Sequence, residues 1–417
     1  MAPTKPSRAA TRSCKSATPI GVPTPGTSSV GAREIAVVAA SDAGAVQRAL
    51  AEAFAGGPIV LPRPEPGEQV DAAGLPEDAC LIIETSGSTG VPKRVVLTAH
   101  ALHASATATY ERLDALAGRV GDFPSRQWLL CLPAHYIAGV QVLVRSLLAG
   151  TKPVELVGHF DADAFVAAAA QLTAERRYVS LVPVQLQRLV AAEAAAVDPV
   201  MRSFDGILVG GQSTPRPVLA AARARGWRVV TTYGSSETAG GCVYNGEPLR
   251  GVRVRIVDGE IWLGGPMLAS GYLDDEVRDA ATFVARDGER WYRSADAGEL
   301  EAGPPQRIRV TGRLDHVIIS GGEKVNLDVV ERLAQQVPGC AEAVAVGAPS
   351  EEWGEVVVLV VPGAHEVSLD AVREACAVAG RAARPTRVVR IPVVPRLAGG
   401  KPDRRALAAL VRHPLEN

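Results

Sequence analysis

Thr85-Ser86-Gly87-Ser88-Thr89-Gly90-Val91-Pro92-Lys93 gathers four hydroxyls, two glycines and a lysine in nine residues. Glycine lets backbone N–H groups approach a ligand closely, and the hydroxyls add further donors. Lys93 supplies a mobile positive charge. This is equipment for an anion as large as a triphosphate. It is not a Walker A loop, which needs G-x-x-x-x-G-K-[ST]. A Ser/Gly-rich surface turn would share the composition, so the assignment depends on partners downstream.

Such partners occur in order. Gly210-Gly211-Gln212 follows a predicted strand, and paired glycines let a flat ligand lie against the backbone. Thr232-Tyr233-Gly234-Ser235-Ser236-Glu237-Thr238 puts a ring beside a glycine and a hydroxyl beside a carboxylate. The ring can stack on a base, and the hydroxyl and carboxylate suit a phosphate oxygen and Mg²⁺. Tyr292-Arg293-Ser294-Ala295-Asp296 adds a carboxylate suited to ribose hydroxyls. Pro395-Arg396-Leu397-Ala398-Gly399-Gly400-Lys401 sets a lysine in a glycine-rich loop, within reach of an anion. Taken singly, each has a bland reading: a tight turn, an exposed acid, a solvated lysine.

Taken together, these segments resemble the adenylate-forming superfamily of acyl-CoA synthetases, peptide-synthetase adenylation domains and luciferases. The resemblance covers about residues 75–405. It implies that Thr85, Ser86, Gly87, Ser88, Thr89, Gly90 and Lys93 hold phosphates. Gly210, Gly211, Gln212, Thr232, Tyr233 and Gly234 would line the adenine site, with Tyr233 stacking. Ser236 would contact the α-phosphate, Glu237 would hold Mg²⁺, Asp296 would bind the ribose, and Arg313 would contact ribose or phosphate. Asp315 would be the interdomain hinge. Gly321, Gly322 and Lys324 would line the coenzyme A channel, and Lys401 would orient the reacting carboxylate. ATP, Mg²⁺ and coenzyme A are the implied cofactors and co-substrates. Some residues depart from the family pattern. Arg94 replaces a glycine, Ser294-Ala295 replaces Thr-Gly, Ser350 stands for an aspartate before Trp353-Gly354, and Leu397 replaces a threonine.

Only 84 residues precede Thr85, fewer than in typical acyl-CoA synthetases. That shortened region is similar to the o-succinylbenzoate–CoA ligases of menaquinone biosynthesis. So are Leu132–Gly139 with Arg145, the segment Ser180-Leu181-Val182-Pro183-Val184-Gln185-Leu186-Gln187-Arg188-Leu189, and Gly240–Tyr244. The resemblance implies an acyl pocket at His135, Tyr136, Gln141, Arg145, Gln185 and Ser235. The usual gate histidine falls at Tyr136, with His135 one place earlier. A substrate with two carboxylates needs a cation or several donors for the second one, since an unpaired buried carboxylate is costly. Arg145, Gln185 and Ser235 are the candidates. For Arg145 the alternative is a helix-surface arginine paired with an acid. Three other functions stay open: a ligase for another aryl or medium-chain acid, an adenylation enzyme loading a carrier protein, and a nucleotide sensor.

The elements that must position these residues alternate. Apolar periodicity predicts helices over 43–54, 140–148, 163–172, 184–196 and 217–225. Apolar runs predict strands over 79–83, 127–132, 178–183, 206–209 and 227–232. That alternation implies an α/β fold, with parallel-rich sheets in a large N-terminal domain. After Gly251 short strands and turns predict a β-rich subdomain. Beyond residues 312–315, strands over 343–346 and 356–361 and helices over 326–336 and 369–379 predict a small, mobile α+β domain. The expected division is a disordered tail at 1–33, a large domain at 34–312, a hinge at 313–316 and a small domain at 317–417.

Bulk properties agree with a small-molecule enzyme. The chain has 417 residues, 47% hydrophobic and 21% charged, and a net charge of −1. Neither the charge nor the 4% of aromatics suits nucleic acid binding or a membrane surface. The six cysteines form no C-x-x-C and read as free thiols in a cytoplasmic protein. No apolar run reaches transmembrane length. A monomer or homodimer acting on a small carboxylate is expected.

Overall fold

A computed structural model describes residues 33–65, 67–71, 74–85, 92–118, 125–363, 366–397 and 401–412. Of the expected tail, only Arg33 lies among them. The described chain opens with β1 (Ile35–Ala39), α1 (Ala43–Phe54), β2 (Ile59–Arg63), β3 (Ala79–Thr85) and β4 (Lys93–Thr98). Then come α2 (Ala99–Leu116), β5 (Arg126–Leu130), α3 (Ile137–Leu148), β6 (Val154–Glu155), α4 (Ala162–Ala169) and β7 (Arg176–Leu181). They lead into α5 (Pro183–Ala191), α6 (Ala194–Ser203), β8 (Gly206–Val209), α7 (Arg216–Ala224) and β9 (Val229–Ser235).

These elements build two sheets. The first has the order β1-β2-β3-β4. β1, β2 and β3 run parallel, and β4 returns antiparallel beside β3. The second runs β9-β8-β7-β5-β6 with all neighbours parallel. Strands covered on both faces read as continuous apolar runs, and β8 (Gly-Ile-Leu-Val) is buried along its whole length. A short 3-10 turn, Ser236–Thr238, follows β9. β10 (Gly240–Tyr244) and β11 (Glu247–Pro248) then extend the second sheet antiparallel.

The β-rich region follows. It holds β12 (Arg253–Val257), β13 (Glu260–Gly264), β14 (Gly271–Tyr272), α8 (Glu276–Thr282), β15 (Phe283–Arg286), β16 (Glu289–Glu301) and β17 (Arg307–Arg313). β14 leaves that region and pairs with β4 of the first sheet. The last part holds β18 (Val317–Ser320), β19 (Glu323–Asn326), α9 (Leu327–Ala334), β20 (Val344–Ser350), β21 (Gly354–Pro362), α10 (Leu369–Cys376), β22 (Arg387–Ile391) and α11 (Arg404–Arg412). Its five-stranded sheet is separate, and Val330, Leu359 and Val372 lie in a core of its own. The α/β class is as expected.

Helix starts follow side-chain chemistry. Asp42, Thr98, Asp161, Asn326 and Ser368 each accept a backbone N–H in the first turn of the helix they precede. The helix expected over 184–196 is two helices, with Ala192 extended between them. In one unbroken helix Val197 would sit about 80° round from Leu189. The break lets both bury their apolar residues, Leu186 and Leu189 from α5, Val197 and Met201 from α6. The alanines there carry no sign of it. Sequence periodicity also missed α2, whose mixture of Ala, Ser, Thr and His leaves a weak apolar stripe.

Candidate active site

β3 and β4 form the stem of the phosphate loop. They pair Thr85 with Lys93 and Glu84 with Arg94. Ser86, Gly87, Ser88, Thr89 and Gly90 lie outside the described residues. Glu84 accepts from Arg63 at 2.8 and 2.6 Å and from Arg94 at 3.1 Å. Arg94, the departure from the family's glycine, therefore closes the stem with a cross-strand ion pair. The Arg63 hydrogen bond first, opposed by burial and aided by Arg94, holds the Glu84 carboxyl below its ordinary 4.5. A depressed carboxyl stabilises the fold above its unfolded value, and that contribution is lost as pH falls through the folded value. The melting-temperature gap between the native protein and Glu84→Gln should be widest near about pH 7 and narrow as pH falls below the ordinary carboxyl value of 4.5. A gap unchanged at about pH 3 would contradict this.

Glu237 is the centre of the site. It sits in the 3-10 turn after β9 and is only 3% exposed. The chain escapes that turn because Ala239 adopts the left-handed conformation, φ 49°. Lys93 Nζ lies 3.2 Å from Glu237 Oε1, and the Tyr272 hydroxyl donates to the same oxygen at 2.8 Å. Burial alone would raise the Glu237 carboxyl. Lys93, its own backbone N–H, Tyr272 and Ser235 together outweigh burial and hold it below its ordinary value. Glu237 is therefore ionised at neutral pH. Tyr272 went unnoticed in the sequence, where nothing marks one tyrosine after a glycine.

The expected ribose site is assembled by the β16–β17 ladder, which pairs Asp296 with Arg313. The Tyr233 hydroxyl donates to Asp296 Oδ2 at 2.7 Å, and Arg313 Nη1 lies 3.3 Å from Oδ1. Burial, opposed by Tyr233, Arg313 and Lys401, raises the Asp296 carboxyl. Ala295, where the family has glycine, is left-handed at φ 56°, a conformation that costs an L-residue about 1 kcal/mol. At Gly210 a Cβ would lie 2.2 Å from Thr232 Oγ1, so a larger residue there would have to displace the Thr232 side chain. Gly211 and Gln212 follow it at the exit of β8. A Cβ on Gly234 would lie 2.2 Å from the Gly240 carbonyl, where β9 and β10 run closest. Ser236 is buried at the start of the 3-10 turn.

Lys401 joins this cluster from the last part of the chain. Its side chain is accessible, but protein atoms crowd its cleft. That loss of solvent, then repulsion from Arg313 and Lys93, lowers its ammonium against the attraction of Asp296 and Glu237. Four stretches far apart in sequence thus converge on one charged site. Gly321, Gly322 and Lys324 do not join it. Gly321 and Gly322 form the tight β18–β19 turn, where Gly321 donates to the Trp353 carbonyl at 2.9 Å, and Lys324 lies in β19 opposite Ile319.

The expected hinge segment, 313–316, is bonded on both sides. Arg313 grips Asp315 through Nε at 2.8 Å and Nη2 at 2.9 Å. Its backbone N–H donates to Asp328 Oδ2 at 2.7 Å. Its carbonyl accepts from Asn326 at 3.2 Å, and the Thr311 carbonyl accepts from Arg332 at 2.6 Å. Asp328 also meets His316 Nδ1 at 3.1 Å and Arg404 Nη2 at 3.0 Å, and Glu331 takes Arg404 at 2.8 Å.

The expected acyl-pocket residues divide into two sets. His135 and Tyr136 stack with ring centroids 4.1 Å apart before α3, and burial lowers the His135 imidazole, which is neutral at pH 7. Gln141 donates to the Ala239 carbonyl at 2.7 Å. Ser235 closes β9, with its hydroxyl beside the Glu237 carboxylate. Gln185 is committed to backbone: it accepts from Val182 at 3.0 Å and donates to the Cys131 carbonyl at 3.0 Å. Arg145 is buried rather than on the helix surface, and no acid pairs with it among the described residues. Its guanidinium lies 5.0 Å from the Trp128 ring centre and 3.3 Å from Thr109 Oγ1.

Residues 22–273 match the family described as AMP-binding enzyme. A Mycobacterium tuberculosis protein named probable 2-succinylbenzoate–CoA ligase is 40% identical over 348 residues, 82% of this chain and 85% of its own. A variant of E. coli MenE solved with bound OSB-AMS is 28% identical, with a TM-score of 0.63 over 85% of this chain and 74% of that one. MenE from Bacillus subtilis, solved with ATP and magnesium ion, shares the fold at 24% identity, with a TM-score of 0.67 over 87% and 81%. The convergent site and these matches lead to one assignment: the chain belongs to the family of AMP-binding enzymes.

Proposed function

We propose that this chain is an ATP-dependent carboxylate–CoA ligase that converts o-succinylbenzoate to o-succinylbenzoyl-CoA through an acyl-adenylate, in menaquinone biosynthesis. The observation that carries this reading is the meeting of Lys93, Glu237, Asp296, Arg313 and Lys401 in one site. The similarity to a 2-succinylbenzoate–CoA ligase along most of both chains supports the substrate.

In the first step the side-chain carboxylate of the acid attacks the α-phosphorus of ATP. A new P–O bond forms, and pyrophosphate leaves. Lys401 orients the carboxylate and offsets its charge, and Ser236 contacts the α-phosphate. Lys93 and the hydroxyls of its loop hold the departing pyrophosphate. Tyr233 stacks on adenine, and Asp296 receives the ribose hydroxyls. Among the described residues no cluster of three acidic, His or Cys side chains could cage a metal. A single ionised carboxylate at Glu237 suits Mg²⁺, which takes one or two carboxylates and completes its shell with phosphate and water. When bound, that ion neutralises phosphate charge. In the second step the thiol of coenzyme A attacks the acyl carbon and AMP leaves. Residues 317–417 would rotate about Asp315 between the steps, bringing Gly321, Gly322 and Lys324 to the thiol's path.

The test is pyrophosphate release from ATP with o-succinylbenzoate against a panel of benzoates and fatty acids, with and without coenzyme A. Release selective for o-succinylbenzoate, with thioester only when coenzyme A is present, is the expected result. Selective release with another acid would move the substrate, and none with any acid would favour a nucleotide sensor.

A further inference from the structure

Glu237 has two donors on one oxygen, and they differ in kind. Lys93 stands on a long, flexible side chain that is 28% exposed, at the mouth of the phosphate loop. Its proposed role lies on the triphosphate, so it must leave Glu237 when nucleotide binds. Tyr272 has no such second task, and its position is fixed from every side. β14 pairs Tyr272 with Val95 and Gly271 with Val96. The Tyr272 backbone N–H donates to Asp279 Oδ1 at 3.1 Å. Its ring lies against Phe283, with centroids 5.7 Å apart. The same segment reaches Glu237 by backbone, since Ala269 donates to the Glu237 carbonyl at 2.8 Å.

We infer that Tyr272 is the positioning residue for Glu237: its hydroxyl holds Oε1 and so presents Oε2 to the magnesium of MgATP. This rests on the reading of Glu237 as the metal ligand. The Lys93 and Tyr272 hydrogen bonds both fall on Oε1; Glu237's own backbone N–H and Ser235 are the remaining donors near the carboxylate. A buried carboxylate with one oxygen pinned keeps one rotamer and offers one lone-pair edge. Without the phenol, Lys93 is left as the donor on Oε1. The carboxylate then turns toward the ammonium, and the pair competes with both the metal and the phosphates. Hydrogen-bond partners of metal ligands are worth about 10- to 100-fold in metal affinity.

The test is ATP binding by calorimetry across a Mg²⁺ series, with no acid substrate present, so that no turnover contributes. Tyr272→Phe keeps the ring against Phe283 and removes only the hydroxyl. It should raise the Mg²⁺ concentration for half-maximal tightening of ATP by about tenfold. Affinity for ATP without divalent ion should change less than about twofold. Phe283→Leu loosens the ring packing but keeps the hydroxyl, and should leave the Mg²⁺ midpoint in place. Equal shifts in both variants, or none in Tyr272→Phe, would overturn the inference. Glu237→Gln separates the two levels. If it leaves the midpoint unmoved, Glu237 is not the metal ligand; if it moves the midpoint and Tyr272→Phe does not, only the positioning role fails.

Discussion

Lys401→Ala is expected to cut pyrophosphate release from ATP by roughly 10²- to 10³-fold, the scale of losing one preorganised charge at a developing anion. The same variant should still convert preformed acyl-adenylate and coenzyme A to thioester within a few-fold of the native rate. The asymmetry follows from where the lysine stands. Its ammonium interacts with Asp296, Glu237, Arg313 and Lys93, the groups proposed to surround nucleotide during adenylation. Gly321 and Gly322, proposed for the second step, sit instead in the β18–β19 turn against Trp353. Rapid-quench assays of each half-reaction decide the matter. Equal loss in both would mean that Lys401 supports the whole site rather than one step.

The second large effect concerns stability. Asp328→Ala should destabilise the C-terminal α+β part by about 3 kcal/mol and lower its melting temperature by more than about 10 °C. Asp328 is the shared acceptor for His316, Arg404 and the Arg313 backbone N–H. Removing it leaves a half-buried guanidinium with Glu331 and one carbonyl as its hydrogen-bond partners among the described residues. Arg404 opens α11 three residues after Lys401, so adenylation should fall as well. Circular dichroism melts and pyrophosphate release on the same sample measure both. An unchanged midpoint would mean that Glu331 alone satisfies Arg404.

Much of the site was legible because it is written locally. A glycine loop, a tyrosine beside a glycine or an acid beside a hydroxyl appears as a short run of residue types, and each run named its candidates by number. The strands at Gly206–Val209 and the helix at Ala43–Phe54 were equally local, fixed by apolar periodicity. What stayed hidden was relational. Tyr272 matters because β14 leaves its own region and pairs with β4, beside Lys93. No spacing in the chain announces that crossing. Arg145 and Gln185 were named from their motifs, but packing decides what they touch. Gln185 spends its amide on two backbone groups, and Arg145 lies in the interior against Trp128. The break between α5 and α6 was hidden for the same reason, since alanines fit either arrangement.

The bonds around the hinge also bear on time. Asp328 and Asn326 reach back to Arg313, and Arg332 reaches back to Thr311, so three side-chain hydrogen bonds among the described residues span Asp315, the proposed pivot. A rotation there would break all three. If the proposed rotation occurs, at about 1 kcal/mol each they would hold the rotated pose to a population on the order of 1% until something offsets them. The alternation between half-reactions would then be a rare excursion, and its frequency would set a ceiling on turnover whatever the speed of either chemical step.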